Sequence, residues 1–151
     1  AELYLRLYGC ALPVVAACTG HAVAGGALLL LAMDLRVGPR GDFKFGLNEV
    51  AIGLPVPVLA MELARDRLLP TELTRATQLA QMYTPDEAAR VGYLDELTGP
   101  GEVLTRAQEH AAAYAKYSRH AFRATRERAR HKTIAYIRDS FESDMRSLLP
   151  R

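Results

Sequence analysis

Residues 12–26 read LPVVAACTGHAVAGG, and the chain continues from there as ALLLLAM without a charged side chain. The β-branched residues after Pro13 predict a buried strand over residues 13–19, and the segment TGH predicts the turn that ends it. A helix over residues 25–33 follows, apolar on every side and therefore buried on every side. Residues 11–33 carry no charged side chain, and these 23 residues are long enough to span a membrane. Their turn and glycine pair favour a strand, a turn and a buried helix instead.

The rest of the chain alternates between strand and helix patterns. We predict the following elements: the end of a helix over 2–7 stopped by Gly9, short strands over 35–37 and 43–47 on either side of a turn at 38–41, helices over 58–68, 70–79 and 84–90, a strand over 93–97, and two long helices over 102–117 and 121–149. Thr84 and Glu87 form a capping-box pattern, and Gly92 ends that helix. This alternation predicts an α/β fold. The segment GPG at 99–101 divides the chain into regions 1–99 and 100–151.

The composition suits one globular domain. The chain has 151 residues, of which 50% are hydrophobic and 24% charged, and its net charge of +2 indicates no acidic partner. Cys10 and Cys18 form no disulfide framework, so we expect buried thiols in a reducing compartment and a cytoplasmic protein without a secretory signal. We expect no metal site, because no cluster of His, Cys and Asp has metal-ligand spacing.

Charge is divided unevenly along the chain. Residues 1–100 hold 8 basic and 11 acidic side chains, and residues 101–151 hold 11 and 6. A basic run between Arg119 and Lys132 fits either a nucleic-acid contact or a solvated helix face. We favour the solvated face and expect no nucleic-acid partner, because no aromatic interleaving or groove-reading motif accompanies the run. An apolar stripe on the same helix requires a surface that buries it: Ile134, Ile137, Phe141, Met145 and Leu148.

Gly25 and Gly26 lie between the predicted buried strand and the apolar helix. Backbone N–H groups in the first turn of a helix have no intrahelical partner, and the helix dipole adds partial positive charge there, so a developing anion is stabilised. A glycine also lets a substrate approach the backbone. A glycine pair by itself more often serves close packing, and both interpretations stay open.

Several motifs along nearly the whole chain resemble those of the crotonase superfamily, the enoyl-CoA hydratase/isomerase family. Residues 12–26 resemble its PVIAAVNGxAxGGG motif, AMDLR at 32–36 its ACDLR, and FKFGLNEV at 43–50 its AxFGxPE. IGLP at 52–55 and TPDEAARVGYLD at 84–95 resemble its xxGLxP and sAeEAlriGLVd. The resemblance implies an α/β spiral of ββα turns, followed by C-terminal helices that pack across a trimer.

The resemblance also implies a site for acyl-CoA thioesters. It needs no separate cofactor, because coenzyme A is part of the substrate, and it implies a homotrimer or hexamer with no membrane partner. Two backbone N–H groups of the family hold the thioester oxygen, and motif position assigns one of them to Gly25. The other comes from an upstream loop that this sequence does not contain. The chain therefore resembles the C-terminal part of a larger domain, and we expect it alone to be a weak enzyme or none.

Hydratases of the family use two glutamates, one to activate water and one to move the α-carbon proton. Motif position places the first glutamate at Leu28, whose side chain cannot transfer a proton, and the second at Glu49. A single carboxylate suits double-bond isomerisation better than hydration. We expect Glu49 and Gly25 to be catalytic and the following residues to bind substrate: Ala24, Gly26, Leu28, Leu54 and Pro55. The alternative is a catalytically silent acyl-CoA-binding or subunit-contact module.

Other polar residues near these motifs are assigned structural roles. Asn48 stands where proline is usual in the family, and we favour a turn role over one in orienting Glu49. Glu62 or Asp66 is a candidate for a second carboxylate, but a salt bridge is favoured. His21 lies next to the glycines, and we expect it to form a structural hydrogen bond rather than act as a base.

Overall fold

Two parallel sheets organise residues 1–148, the part of the chain that the computed structural model describes. The elements are α1 (Glu2–Tyr8), β1 (Val15–Ala17), β2 (Ala22–Val23), α2 (Gly25–Ala32), β3 (Leu35–Pro39), β4 (Phe45–Gly46), α3 (Val58–Arg67), α4 (Leu73–Thr77), α5 (Pro85–Val91), β5 (Glu96–Thr98), α6 (Val103–Tyr114) and α7 (Arg119–Ser147), with 3₁₀ turns at Val50–Ile52, Pro70–Glu72 and Pro100–Glu102. The predicted end of the last helix at Leu149 and the end of region 100–151 lie outside the described residues.

Helix α2 lies at the centre of the core, between α1 and α3. Its buried residues point in several directions, which confirms the predicted helix without a polar face: Ala27, Leu28, Leu30, Leu31 and Ala32. A helix covered on all sides buries apolar surface in every direction, and this burial is the main source of its stability. Within residues 1–148, no helix is both long and apolar enough to cross a membrane.

The larger sheet has the order β1-β3-β5, and all its strands are parallel. Strand β1 pairs on one side only within residues 1–148, so Val15 and Ala17 are half-buried rather than fully buried as the sequence predicts. Strands β3 and β4 do not pair with each other across the turn at 38–41, because β4 pairs with β2 in a separate sheet. The division of the chain at 99–101 falls just after β5 and stays a prediction.

Helix α5 confirms the predicted capping signals. The Thr84 hydroxyl accepts a hydrogen bond from the Glu87 N–H, and the Glu87 carboxylate accepts one from the Thr84 N–H at 2.9 Å. Gly92 ends the helix with a φ of 109°, and a Cβ there would lie 2.5 Å from the carbonyl oxygen of Arg67. Strand β5 begins later than predicted, because the N–H of Tyr93 returns to the Ala88 carbonyl at 2.9 Å and extends the cap.

The predicted helix over 70–79 is divided into a 3₁₀ turn and the short helix α4. It ends at Thr77, and the chain then reaches Ala80 in the left-handed region at a φ of 49°. A residue in that region cannot continue a right-handed helix. Cys10 and Cys18 are free and half-buried, so the thiols are less buried than expected.

The solvated-face hypothesis for the basic run is wrong for two of its arginines. Arg126 is 6% exposed, and it forms an ion pair with Asp34 just beyond the end of α2. Arg130 contacts the same carboxylate at 3.0 Å, and both guanidinium groups donate to the carbonyl oxygen of Tyr8, at 3.1 Å and 2.6 Å. These contacts hold α7 against the ends of α1 and α2. Arg123 fits the hypothesis, since it is exposed and pairs along α7.

The apolar stripe on α7 is buried over its first part only. Ile137 is 1% exposed within the core, and Ile134 packs against Gly9 after α1. Phe141 and Met145 remain 39% and 44% exposed within the described chain. The Asp144 carboxylate accepts a hydrogen bond from the N–H of Val58 at 2.9 Å, which fixes α7 to the start of α3.

Asp34→Asn should destabilise the fold, because it leaves Arg126 and Arg130 without their counter-charge. We expect the free energy of unfolding to fall by about 3–5 kcal/mol near neutral pH. Burial alone raises the pKa of Asp34, but the Val14 N–H and the two arginines outweigh it, and the pKa lies below its usual range. The contribution is therefore complete above about pH 4 and is lost as the pH falls through the lowered pKa.

Urea unfolding of both proteins at about pH 7 and about pH 3 measures this difference. Asp86→Asn is the matched control, because its carboxylate pairs with Arg40 at the surface and is 76% exposed. The control should lose less than about 1 kcal/mol. Equal losses in the two variants would contradict the role of Asp34.

Candidate functional site

The parallel pair of β2 and β4 positions both sides of the candidate site. Ala22 pairs with Phe45 and Val23 with Gly46, and the N–H of Ala24 continues the ladder to the carbonyl of Gly46 at 2.9 Å. The strands are parallel, so the segments that follow them leave from the same edge. Gly25 follows β2, and Glu49 follows β4 three residues after its end.

Gly25 occupies the first position of α2 and is exposed. Its N–H therefore has no acceptor within the helix. Ala24 precedes it with a φ of 50° and a ψ of −117°, a conformation that alanine rarely adopts. The helix is established immediately, since the N–H of Leu28 bonds to the Ala24 carbonyl at 3.0 Å. The strained turn thus places an exposed glycine, whose N–H has no acceptor within the helix, at the start of a buried helix.

Two neighbours limit the space around the glycines. The Tyr4 hydroxyl of α1 lies 3.4 Å from the Gly25 carbonyl oxygen and would lie 3.2 Å from a Cβ at Gly25. Gly26 is half-buried and borders a cleft of about 300 Å³ between β1 and α2, with Leu29 and Met33 among its other walls. This cleft opens beside the free edge of β1.

Glu49 is 8% exposed, and its Oε2 has no hydrogen-bond partner among the described residues. The residue begins the 3₁₀ turn Val50–Ile52, and its carbonyl accepts the N–H groups of Ile52 at 3.1 Å and Leu54 at 2.9 Å. The Asn48 Oδ1 is also buried and without a partner in residues 1–148. A buried carboxylate without a partner costs stability, which is typical of a group whose partner is a ligand or an ordered water.

The two other candidate carboxylates have protein partners. Glu62 pairs with Arg65 at 3.3 Å, as the salt-bridge hypothesis predicts. Asp66 instead accepts a hydrogen bond from the buried hydroxyl of Tyr8 at 2.7 Å. Leu28, at the position of the first hydratase glutamate, is 8% exposed and packs in the core.

His21 forms the predicted structural hydrogen bond. Its Nδ1 accepts the backbone N–H of Lys44 at 3.0 Å, and its ring lies edge-to-face with Phe43 at 5.4 Å. Among residues 1–148, no three His, Cys, Asp or Glu side chains lie close enough together to hold a metal ion.

Leu54 and Pro55 follow Glu49 closely in the sequence, but both are exposed to solvent. The Leu54 N–H is bonded to the Glu49 carbonyl, yet its side chain is 46% exposed, and Pro55 is exposed as well. Val50 and Ile52 are also exposed, at 44% and 62%. This apolar segment suits contact with an apolar substrate or with further protein, and its binding role stays a prediction.

Tyr93 is a candidate site residue that the sequence analysis did not identify. It is fully buried, and its hydroxyl has no partner in the part of the chain that the structure describes. Burial raises the pKa of Tyr93, and the neighbouring Tyr83 and the negative charge of Glu49 raise it further. The sequence signal was a phenol in the segment that resembles GLVd, at a position where the family has an apolar residue.

The chain is similar to several proteins of one enzyme family. Enoyl-CoA delta isomerase 1, mitochondrial, of Mus musculus is 30% identical over 147 residues, which cover 97% of this chain and 51% of that protein. The structure of an enoyl-CoA hydratase/isomerase family protein from Pseudomonas syringae matches with a TM-score of 0.94 and 36% identity, over 98% of this chain and 64% of that one. An enoyl-CoA hydratase of Mycobacterium ulcerans matches with a TM-score of 0.89 and 40% identity, over 95% and 64%.

The fold is that of an α/β protein in which a helix begins at a glycine and a buried carboxylate follows the neighbouring strand. The family pattern described as Enoyl-CoA hydratase/isomerase matches residues 1–148, and the chain belongs to that family. The predicted crotonase superfamily membership and α/β fold are confirmed. The chain spans about half the length of the curated relatives it matches.

Ala24→Gly should stabilise the protein, although glycine usually does the opposite. The relief of roughly 1–3 kcal/mol of backbone strain exceeds the roughly 0.5–1 kcal/mol entropic cost of a glycine. We expect the free energy of unfolding to rise by about 1 kcal/mol, measured by urea titration. Ala112→Gly, on the exposed side of α6, is the control and should lower it by about 1 kcal/mol. A loss in both variants would refute the strain at Ala24.

Proposed function

We propose that this chain carries one side of an active site that transforms acyl-CoA thioesters. In this proposal the Gly25 N–H donates a hydrogen bond to the thioester oxygen, and Glu49 is the acid–base residue. The buried Glu49 carboxylate, with an oxygen that forms no hydrogen bond to any described residue, is the observation that carries the proposal. The exposed N–H at the start of α2 supports it, because a preorganised donor stabilises a developing oxyanion.

Isomerisation is the reaction that a single carboxylate serves best. Glu49 removes a proton from carbon 2 of a 3-enoyl thioester, and the resulting dienolate places negative charge on the oxygen that Gly25 holds. The same carboxylate then returns the proton at carbon 4, which moves the double bond to carbon 2. Leu28 is apolar and packed in the core, so it offers no second acid to add water. The mouse relative is named as an isomerase, which supports this choice.

The proposal assigns the remaining elements of the site as follows. The second oxyanion donor comes from outside this sequence, which spans about half of its relatives. No separate cofactor takes part, because coenzyme A belongs to the substrate. Ala24, Gly26, Leu28, Leu54 and Pro55 are proposed to form the substrate-binding surface around the two catalytic groups.

Glu49→Gln should abolish most of the turnover. In the full-length gene product, we expect kcat on 3-enoyl-CoA to fall roughly 10²–10⁴-fold with KM nearly unchanged, because the amide is nearly the same size but takes no proton. Steady-state assays on 3-enoyl-CoA and 2-enoyl-CoA measure this loss and separate isomerase from hydratase activity.

Glu62→Gln is the matched control, because Glu62 pairs with Arg65 on α3 and should leave kcat unchanged. Unchanged turnover after Glu49→Gln would refute the mechanism. Tight binding of CoA esters, without proton exchange at carbon 2 in the unaltered protein, would favour the catalytically silent binding module instead.

We further propose a homotrimer or hexamer in which the exposed part of α7 contacts another subunit. Phe141 and Met145 are large apolar residues of α7 that stay 39% and 44% exposed within residues 1–148. Replacing both with lysine should shift the sedimentation coefficient to that of a smaller species, because a charge is costly in an apolar interface. Ser143→Lys adds a charge at an exposed position between them and is the control. An unchanged assembly in the double variant would refute this interface.

A nucleic-acid partner is not part of the proposal. Arg126 and Arg130 are engaged by Asp34 and by the Tyr8 carbonyl, so the basic run presents less free charge than its sequence indicates. We also propose no membrane partner. A cytoplasmic location stays a proposal from cysteine usage, whereas the name of the mouse relative places that protein in mitochondria.

A further inference from the structure

The backbone holds Tyr93 beside the strand that leads to Glu49. Its N–H is fixed to the Ala88 carbonyl at the end of α5, and its ring packs on Tyr83 with the ring centres 5.7 Å apart. Tyr83 in turn exchanges two backbone hydrogen bonds with Phe45 of β4, at 2.8 Å and 3.0 Å. The phenol is therefore packed on a residue that is bonded to β4, the strand that leads to Glu49.

Three buried polar atoms in this region lack hydrogen-bond partners among the described residues: Asn48 Oδ1, Glu49 Oε2 and the Tyr93 hydroxyl oxygen. The Tyr93 hydroxyl is a donor and the Glu49 Oε2 is an acceptor, and neither has a hydrogen bond within residues 1–148. The Tyr83 hydroxyl differs, because it reaches the Glu72 carboxylate at 3.4 Å. Buried hydroxyl and carboxylate groups in folded proteins are nearly always satisfied, by each other or through an ordered water.

Electrostatics agrees with this pairing. Burial, Tyr83 and the negative charge of Glu49 raise the pKa of Tyr93, and a backbone contact with Leu47, two residues before Glu49, lowers it. Burial is the largest cause and raises the pKa of Tyr93 far above neutrality, so the hydroxyl keeps its proton and is available as a donor.

We propose that Tyr93 is a positioning residue for Glu49. Its hydroxyl donates a hydrogen bond to one ordered water that in turn donates to Oε2, and the other carboxylate oxygen is left to exchange the substrate proton. This assignment rests on the proposed role of Glu49 as the acid–base residue. A hydrogen bond to one oxygen fixes the orientation of the carboxylate, and orientation decides how well a base reaches its proton.

Tyr93→Phe in the full-length gene product tests the assignment, because it removes one oxygen atom and keeps the ring. We expect kcat on 3-enoyl-CoA to fall about tenfold while KM stays within about twofold, since the lost water-mediated hydrogen bond orients the group that transfers the proton. In a Glu49→Gln background the same change should have no further effect on kcat, because the group that Tyr93 positions is already inactive.

Tyr83→Phe is the matched control, because it removes a hydroxyl from the same packed pair and should leave kcat unchanged. Thermal unfolding of each variant shows whether it folds, and Tyr93→Leu provides a second variant without the hydroxyl. A folded Tyr93 variant with unaltered kcat would overturn the assignment. So would a Tyr93→Phe change that lowers kcat by the same factor in the Glu49→Gln background as in the unaltered protein. If Glu49→Gln itself leaves turnover unchanged, the proposed function fails first, and the two failures are distinguished.

Discussion

The short parallel pairing of β2 with β4 is the interaction on which the candidate site depends. Two residue pairs and the bond from Ala24 to Gly46 bring the ends of these strands to one edge. A shift of one residue in this register would turn the following side chains to the opposite face, and Glu49 would leave the edge that it shares with Gly25. Pairs this short need support, which β4 obtains from the bridge between Phe45 and Tyr83.

The site concentrates features that cost stability. Ala24 adopts a conformation suited to glycine, and Glu49 keeps a buried oxygen that forms no hydrogen bond to any described residue. Neither would persist in a loosely packed region, because strain of this kind is retained only where the surroundings over-determine it. The buried helix α2 and the core around Phe45 provide that surrounding structure. The strained and unpaired groups of the candidate site lower the stability of the fold, and the burial of apolar side chains in the core offsets this cost.

Features specified within a few residues were predictable from the sequence. The buried helix after Gly25 and the capping box between Thr84 and Glu87 depend on local patterns, and both are confirmed. Features that join distant parts were not. The hypothesis of a solvated basic face failed for Arg126 because it meets Asp34 from 92 residues away, and for Arg130, which binds the same carboxylate. Tyr93 was missed for the same reason, since its environment is created by residues far from it in sequence.

The contacts around Asp34 connect the C-terminal helix to the candidate site. Helix α2 begins at Gly25 and is followed closely by Asp34, where Arg126 and Arg130 of α7 hold the chain. An eight-residue helix is about 12 Å long and moves as one body, so anchoring its end restricts its beginning. The direction of the Gly25 N–H is therefore set at both ends of α2, by the strand pairing before it and by the arginines after it. The charges of Arg126 and Arg130 therefore act on the geometry of α2.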